Sequence, residues 1–114
     1  TSTSFVFSAG WGSTCASTPA TCLSSIAGDD NHLKFTVTST GTGQGASPTI
    51  TYTFKDLTWT NVPFCTAKIK ACSTAADCLS FVSDVPTATT DVLTYATTPV
   101  AARTYTFQID CTGG

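Results

Sequence analysis

The sequence predicts an all-β chain: an antiparallel β-sandwich of about seven to eight short strands, stapled by disulfides. Three observations carry that prediction. Apolar and polar residues alternate with a period of two in several segments, no segment shows the 3.6-residue apolar stripe of a helix that could cover a sheet, and six cysteines are spread through 114 residues. Thr and Ser together make up about a third of the chain, which favours strands and loops over helices.

FVF at 5–7 reads as a short first strand. SAGWGST at 8–14 then sets Trp11 between two glycines, where the backbone can bend. The indole is left either to pack against the sandwich edge or to serve as a stacking platform for a ligand. Cys15 and Cys22 bracket ASTPAT, a loop containing Pro19 and short enough to return the second Cα to the ~4.4–6.8 Å that a bridge needs.

Asp29, Asp30, Asn31 and His32 form the most polar run and contain the only adjacent carboxylates. Hard cations take such oxygens, but Asp and Asn also accept hydrogen bonds from the backbone that follows them. The run stands directly before a clear strand, so it reads as a turn, and no metal is assigned. LKFTVTS at 33–39 puts Leu33, Phe35 and Val37 on one face, and PTITYTFK at 48–55 does the same with Ile50, Tyr52 and Phe54. TGTGQGASP at 40–48 reads as a long glycine-rich hairpin loop between them, with Thr42 and Gln44 exposed.

Trp59 alternates with Leu57 and reads as a packed residue at a strand end. FCTAKIKA at 64–71, CLSFVS at 78–83 and VLTYA at 92–96 are weaker strands, and STAAD at 73–77 can make a helical turn bracketed by Cys72 and Cys78. RTYTFQIDC at 103–111 closes the set with Tyr105, Phe107, Ile109 and Cys111 inward. Two short-loop pairs, Cys15–Cys22 and Cys72–Cys78, leave Cys65 with Cys111. That last bridge closes the longest loop and so constrains the unfolded chain most, by roughly 4 kcal/mol.

Strands with one apolar face each must bury those faces against one another, which gives a sandwich; a closed barrel meets the same pattern. Neither an internal repeat nor a linker divides residues 1–114, so one domain is expected.

Composition also narrows function. The net charge is −2 with only five basic residues, so nucleic acid is not an expected partner, because phosphates are neutralised by Lys and Arg. The chain has no Glu and a single His, so general acid–base residues are scarce. No enzyme activity, catalytic residue or cofactor is expected. GTGQG lacks the Lys and following helix of a phosphate loop, and neither Asn31 nor Asn61 starts an N-glycosylation motif. No apolar run nears the ~20 residues of a membrane-spanning helix, so no membrane insertion is expected. The start has neither an initiator Met nor a signal-peptide pattern, and the chain is expected to be soluble and processed or cut from something longer. Bridged cysteines imply an oxidising setting, such as a virion surface, the periplasm or the extracellular medium. Threonines on the outward strand faces fit β-propensity with a hydrated surface.

The segments SFVFSAGWGST, the GDD turn leading into LKFTVTSTGTGQGASPTITYTFKD, TWTNVPFC, and the closing TTPVAARTYTFQIDCTGG together resemble a β-rich domain of tailed-phage structural proteins, found in tail fibres and minor virion proteins. The resemblance covers about residues 4–66 and 91–113. It does not extend to the cysteines or to the stretch TAKIKACSTAADCLSFVSDVPTATT. It implies a module at a fibre tip, often a trimer, that attaches to a host-surface glycan or protein. A capsid-decoration protein, or a secreted carbohydrate-binding module or adhesin, fits the same residues. The resemblance carries over no binding residue, so the candidates are loop residues: Trp11, Asp29, Asp30, Asn31, His32, Thr42 and Gln44.

Overall fold

A computed structural model describes residues 5–55 and 59–113; Leu57, the predicted partner of Trp59 in alternation, lies outside them. The chain forms strands β1 (Phe5–Phe7), β2 (Leu23–Gly28), β3 (His32–Thr38), β4 (Thr49–Thr53), β5 (Phe64–Cys72), β6 (Val82–Pro86), β7 (Thr90–Tyr95) and β8 (Thr104–Thr112). Between β1 and β2 the chain makes a 3-10 turn at Ala9–Trp11 and two short helices, α1 (Ser13–Ser17) and α2 (Pro19–Cys22). Pairing is antiparallel throughout and yields two four-stranded sheets, β1-β4-β7-β6 and β2-β3-β8-β5. No ladder joins the sheets among the described residues, so the architecture is a β-sandwich and the barrel alternative is set aside.

Register explains why the two inner faces meet. Across β3 and β8, Leu33 lies opposite Ile109, Phe35 opposite Phe107 and Val37 opposite Tyr105. All six are buried, as are Ile50, Tyr52, Leu93 and Tyr95 from the facing sheet. Trp11 fills the centre: its ring lies 5.7 Å from Tyr95, nearly parallel, and meets Tyr105 and Phe107 edge-on. Gly12 follows it at φ +113°, where a Cβ would lie 2.2 Å from the Thr40 carbonyl oxygen, so the turn that inserts the indole requires glycine.

The three predicted bridges are present: Cys15–Cys22, Cys65–Cys111 and Cys72–Cys78. Cys65 and Cys111 are directly opposed residues of β5 and β8. Three disulfides are the chemistry of an oxidising, extracellular-type environment. No helix among the described residues is long and apolar enough to cross a membrane.

Three elements differ from expectation. The 40–48 segment is not a hairpin loop, because β3 and β4 belong to different sheets. It crosses between layers and packs on the Ala9–Ser17 segment, with the Ser13 N–H donating to the Thr42 carbonyl (2.9 Å) and Gly45 N–H to that of Gly10 (3.2 Å). Strand β2 is illegible because a bulge between Ser24 and Ala27, with Ser25 at φ 53°, puts its half-buried Leu23 and Ile26 three residues apart instead of two. CLSFVS is not one strand: Cys78 and Leu79 lie in a 3-10 turn, Ala75–Leu79, held by the Cys72–Cys78 bridge and by the Tyr95 hydroxyl donating to the Asp77 carbonyl.

Candidate functional site

The loop residues singled out from sequence do not form one site. Trp11 is completely buried, so it is a core residue and not a stacking platform. Asp30 is also buried: its carboxylate accepts from the Tyr52 hydroxyl (2.7 Å) and the Lys55 backbone N–H (3.0 Å), pinning the β2–β3 hairpin tip to the opposite sheet. Asp29 holds that tip as a turn, accepting from the N–H groups of Asn31 and His32, as the sequence predicts. Asn31 exchanges hydrogen bonds with the backbone of Cys111. Gln44 donates to the Ser39 hydroxyl and the Gly41 carbonyl, a structural role, whereas Thr42 is exposed at the other end of β3 from the Asp29 turn.

His32 leads to a different surface. It is the first residue of β3 and projects onto the outer face of the β2-β3-β8-β5 sheet, where register arranges polar side chains in rows. Lys34, Gln108 and Lys68 stand opposite one another across β3, β8 and β5, and His32, Asp110 and Thr66 form the adjacent row. Thr112 and Phe64 close one end. Towards the other end, Thr36 and Thr106 join hydroxyls at 3.0 Å.

Phe64 is the aromatic this face displays. It is 75 % exposed, in phase with Thr66 and Lys68, whereas Cys65, Ala67 and Ile69 turn toward the core. That phase was readable in FCTAKIK: an inward Cys65 requires an outward Phe64. Lys70 is aimed by a bulge, being the extra residue where β5 passes from Ile69 opposite Phe107 to Ala71 opposite Thr106.

Two shallow hollows adjoin on this face. The first, about 410 Å³, has Phe64, Thr66, Asp110 and Thr112 at its surface and Pro63 and Pro86 as walls. The second, about 450 Å³, lies between Gly28, His32, Lys34, Lys70 and Gln108. Asp110 links them: its carboxylate accepts from His32 Nδ1 and from Gln108 Nε2 (3.1 Å), which orients both side chains.

Charge is segregated by the fold. Three of the five basic residues, Lys34, Lys68 and Lys70, share this one face, and no carboxylate pairs with any of them among the described residues. The outer face of the other sheet carries Thr49, Thr51, Thr53, Thr90, Thr94, Val92, Val85 and Val6, none of them charged.

A second ionisable cluster is internal. Asp91 is fully buried on β7, and burial followed by the charge of neighbouring Asp84 pushes its carboxyl up to about 7. Asp84 is raised as well, mainly by burial. Asp91 and the sulfurs of Cys65 and Cys111 lie within 4.8 Å of one another, but the sulfurs are bonded together and offer no thiolate to a metal.

Comparisons with protein-family models, with curated proteins and with solved structures find no match.

Proposed function

We propose that this chain is a non-enzymatic attachment module, carried on a virion surface as the resemblance to tailed-phage structural proteins implies, that holds a host-surface glycan on the outer face of the β2-β3-β8-β5 sheet. The observation that carries this reading is Phe64, a large aromatic 75 % exposed on a sheet face beside fixed hydrogen-bonding side chains. An aromatic ring takes the apolar face of a sugar, and polar groups lining the hollows, such as Gln108 and Thr66, take its hydroxyls. Shallow hollows give weak single-site binding, and several copies on one particle convert later contacts into intramolecular events.

The test is binding of the labelled protein to arrays of bacterial surface polysaccharides and other cell-surface glycans, with Phe64→Ala and Gln108→Ala alongside. The reading predicts selective binding that Phe64→Ala weakens about tenfold with the fold intact, as expected for losing ~1.4 kcal/mol of contact. Absence of binding, or binding indifferent to both substitutions, overturns it.

A second reading, an assembly or decoration protein, is favoured by the uncharged outer face of the β1-β4-β7-β6 sheet and its edge. Val6 and Val85 are 60 % and 64 % exposed on that face, and Leu79 and Phe81, 87 % and 72 % exposed, stand where β6 meets β5 at the sandwich edge. Surfaces of that kind pack against neighbouring subunits.

A further inference from the structure

We infer that the glycan held on this face is acidic, with an anionic group seated in the hollow between Lys34 and Lys70 and another sugar of the same polymer on Phe64. This rests on the glycan-binding reading and adds the chemical class of the ligand. The two lysines line one hollow from opposite sides of Gln108, and Lys68 continues the same row. Lys34 and Lys68, two strand spacings apart, stand about 10 Å from each other. Like charges at that range repel, and among the described residues no carboxylate forms an ion pair with either. Asp110, the acid on this face, is engaged by His32 and Gln108. A polymer carrying carboxylate, phosphate or sulfate groups would supply the missing counter-charge, and the chain's overall −2 does not do so locally.

The placement of Lys70 supports a site over a merely solvated face. Lys70 keeps the outward phase of Lys68, and the bulge leaves it with no residue directly opposite on β8, at the hollow's rim. Gly28 forms another part of the rim, at φ +102°, where a Cβ would lie 1.9 Å from the His32 carbonyl oxygen. Nucleic acid fits less well. Single strands stack successive bases on several aromatics and follow a longer cationic track, whereas this face offers Phe64 and three lysines, and Arg103 is held by Asp77.

The experiment compares polygalacturonate with its fully methyl-esterified form, and poly(glycerol phosphate) with neutral dextran, by titration calorimetry at physiological salt. Wild type, Phe64→Ala and Lys34→Gln/Lys70→Gln are measured, together with a single-stranded oligonucleotide of matched charge. The inference predicts at least one acidic polymer bound about tenfold or more tighter than its neutral counterpart. The double lysine variant abolishes that preference, and Phe64→Ala weakens acidic and neutral forms alike. Equal binding of acidic and neutral polymers overturns the acidic assignment and leaves the glycan reading standing. Loss of all polymer binding overturns both. Oligonucleotide binding as tight as the best glycan overturns the assignment in favour of a general polyanion surface.

Discussion

Asp91 and Asp84 face one another between the two sheets, and no N–H or hydroxyl donor reaches either oxygen of Asp91 among the described residues. Asp91 neighbours Tyr52 in register, whose hydroxyl is committed to Asp30, and the neutral Cys65–Cys111 bridge lies on the other side. The pair therefore keeps a proton when folded that it gives up when unfolded. Its folded carboxyl stands at about 7 against 3.8 unfolded, so this contribution to stability is complete below about pH 4, falls as pH rises, and is lost above about 7. The melting temperature of wild type should decline from pH 4 to pH 8 relative to Asp91→Asn. The difference should reach at most about 4 kcal/mol, at ~1.4 kcal/mol per pKa unit. Parallel curves in calorimetry would count against a shared buried proton.

The Cys65–Cys111 bridge closes a separation of 46 residues, whereas Cys15–Cys22 and Cys72–Cys78 close 7 and 6. By chain entropy the first should contribute about 4 kcal/mol and each of the others about 2. Replacing each pair with alanine and measuring urea unfolding should give that order.

Trp11→Ala should destabilise by about 3–5 kcal/mol, the cost of deleting a large buried ring, and so reports on folding and not on ligand contact. Phe64→Ala, at an exposed site, should stay within about 0.5 kcal/mol of wild type. Denaturant titration of both separates the core aromatic from the displayed one.

Asp30→Ala leaves the Tyr52 hydroxyl and the Lys55 N–H without that acceptor and should cost about 1–3 kcal/mol. Asp29→Ala removes an exposed turn acceptor and should cost less, about 0.5–1 kcal/mol. The two adjacent carboxylates look alike in sequence; their melting temperatures should not.

If the uncharged face and the Phe81 edge pack against other subunits, sedimentation should show self-association that rises with concentration. Val85→Lys with Phe81→Lys should abolish it without changing the far-ultraviolet spectrum. A monomer at every concentration would count against self-assembly through that face.

Local alternation made much of the fold legible. LKFTVTS, PTITYTFK and RTYTFQIDC each state which residues turn inward, because side chains alternate sides along a strand and water penalises the wrong register. The bridges were legible for a different reason: two short loops constrain their cysteines, and that leaves Cys65 for Cys111.

The site was not legible in the same way. Loop composition drew attention to Trp11, Asp30 and Gln44, yet an indole between glycines, an aspartate and a glutamine are equally suited to satisfying a buried environment. Only the packed structure supplies the core that takes the indole and the Tyr52 hydroxyl that takes the carboxylate. Phe64, Lys34, Lys68, Lys70, Gln108, Asp110 and His32 come from three strands, with His32 and Asp110 78 positions apart in the chain. Sequence alone determined which side of its own strand each residue occupies. Which strands lie side by side, and so which outward residues share one face, was decided by burial of the inner faces, a long-range free energy that no local pattern contains.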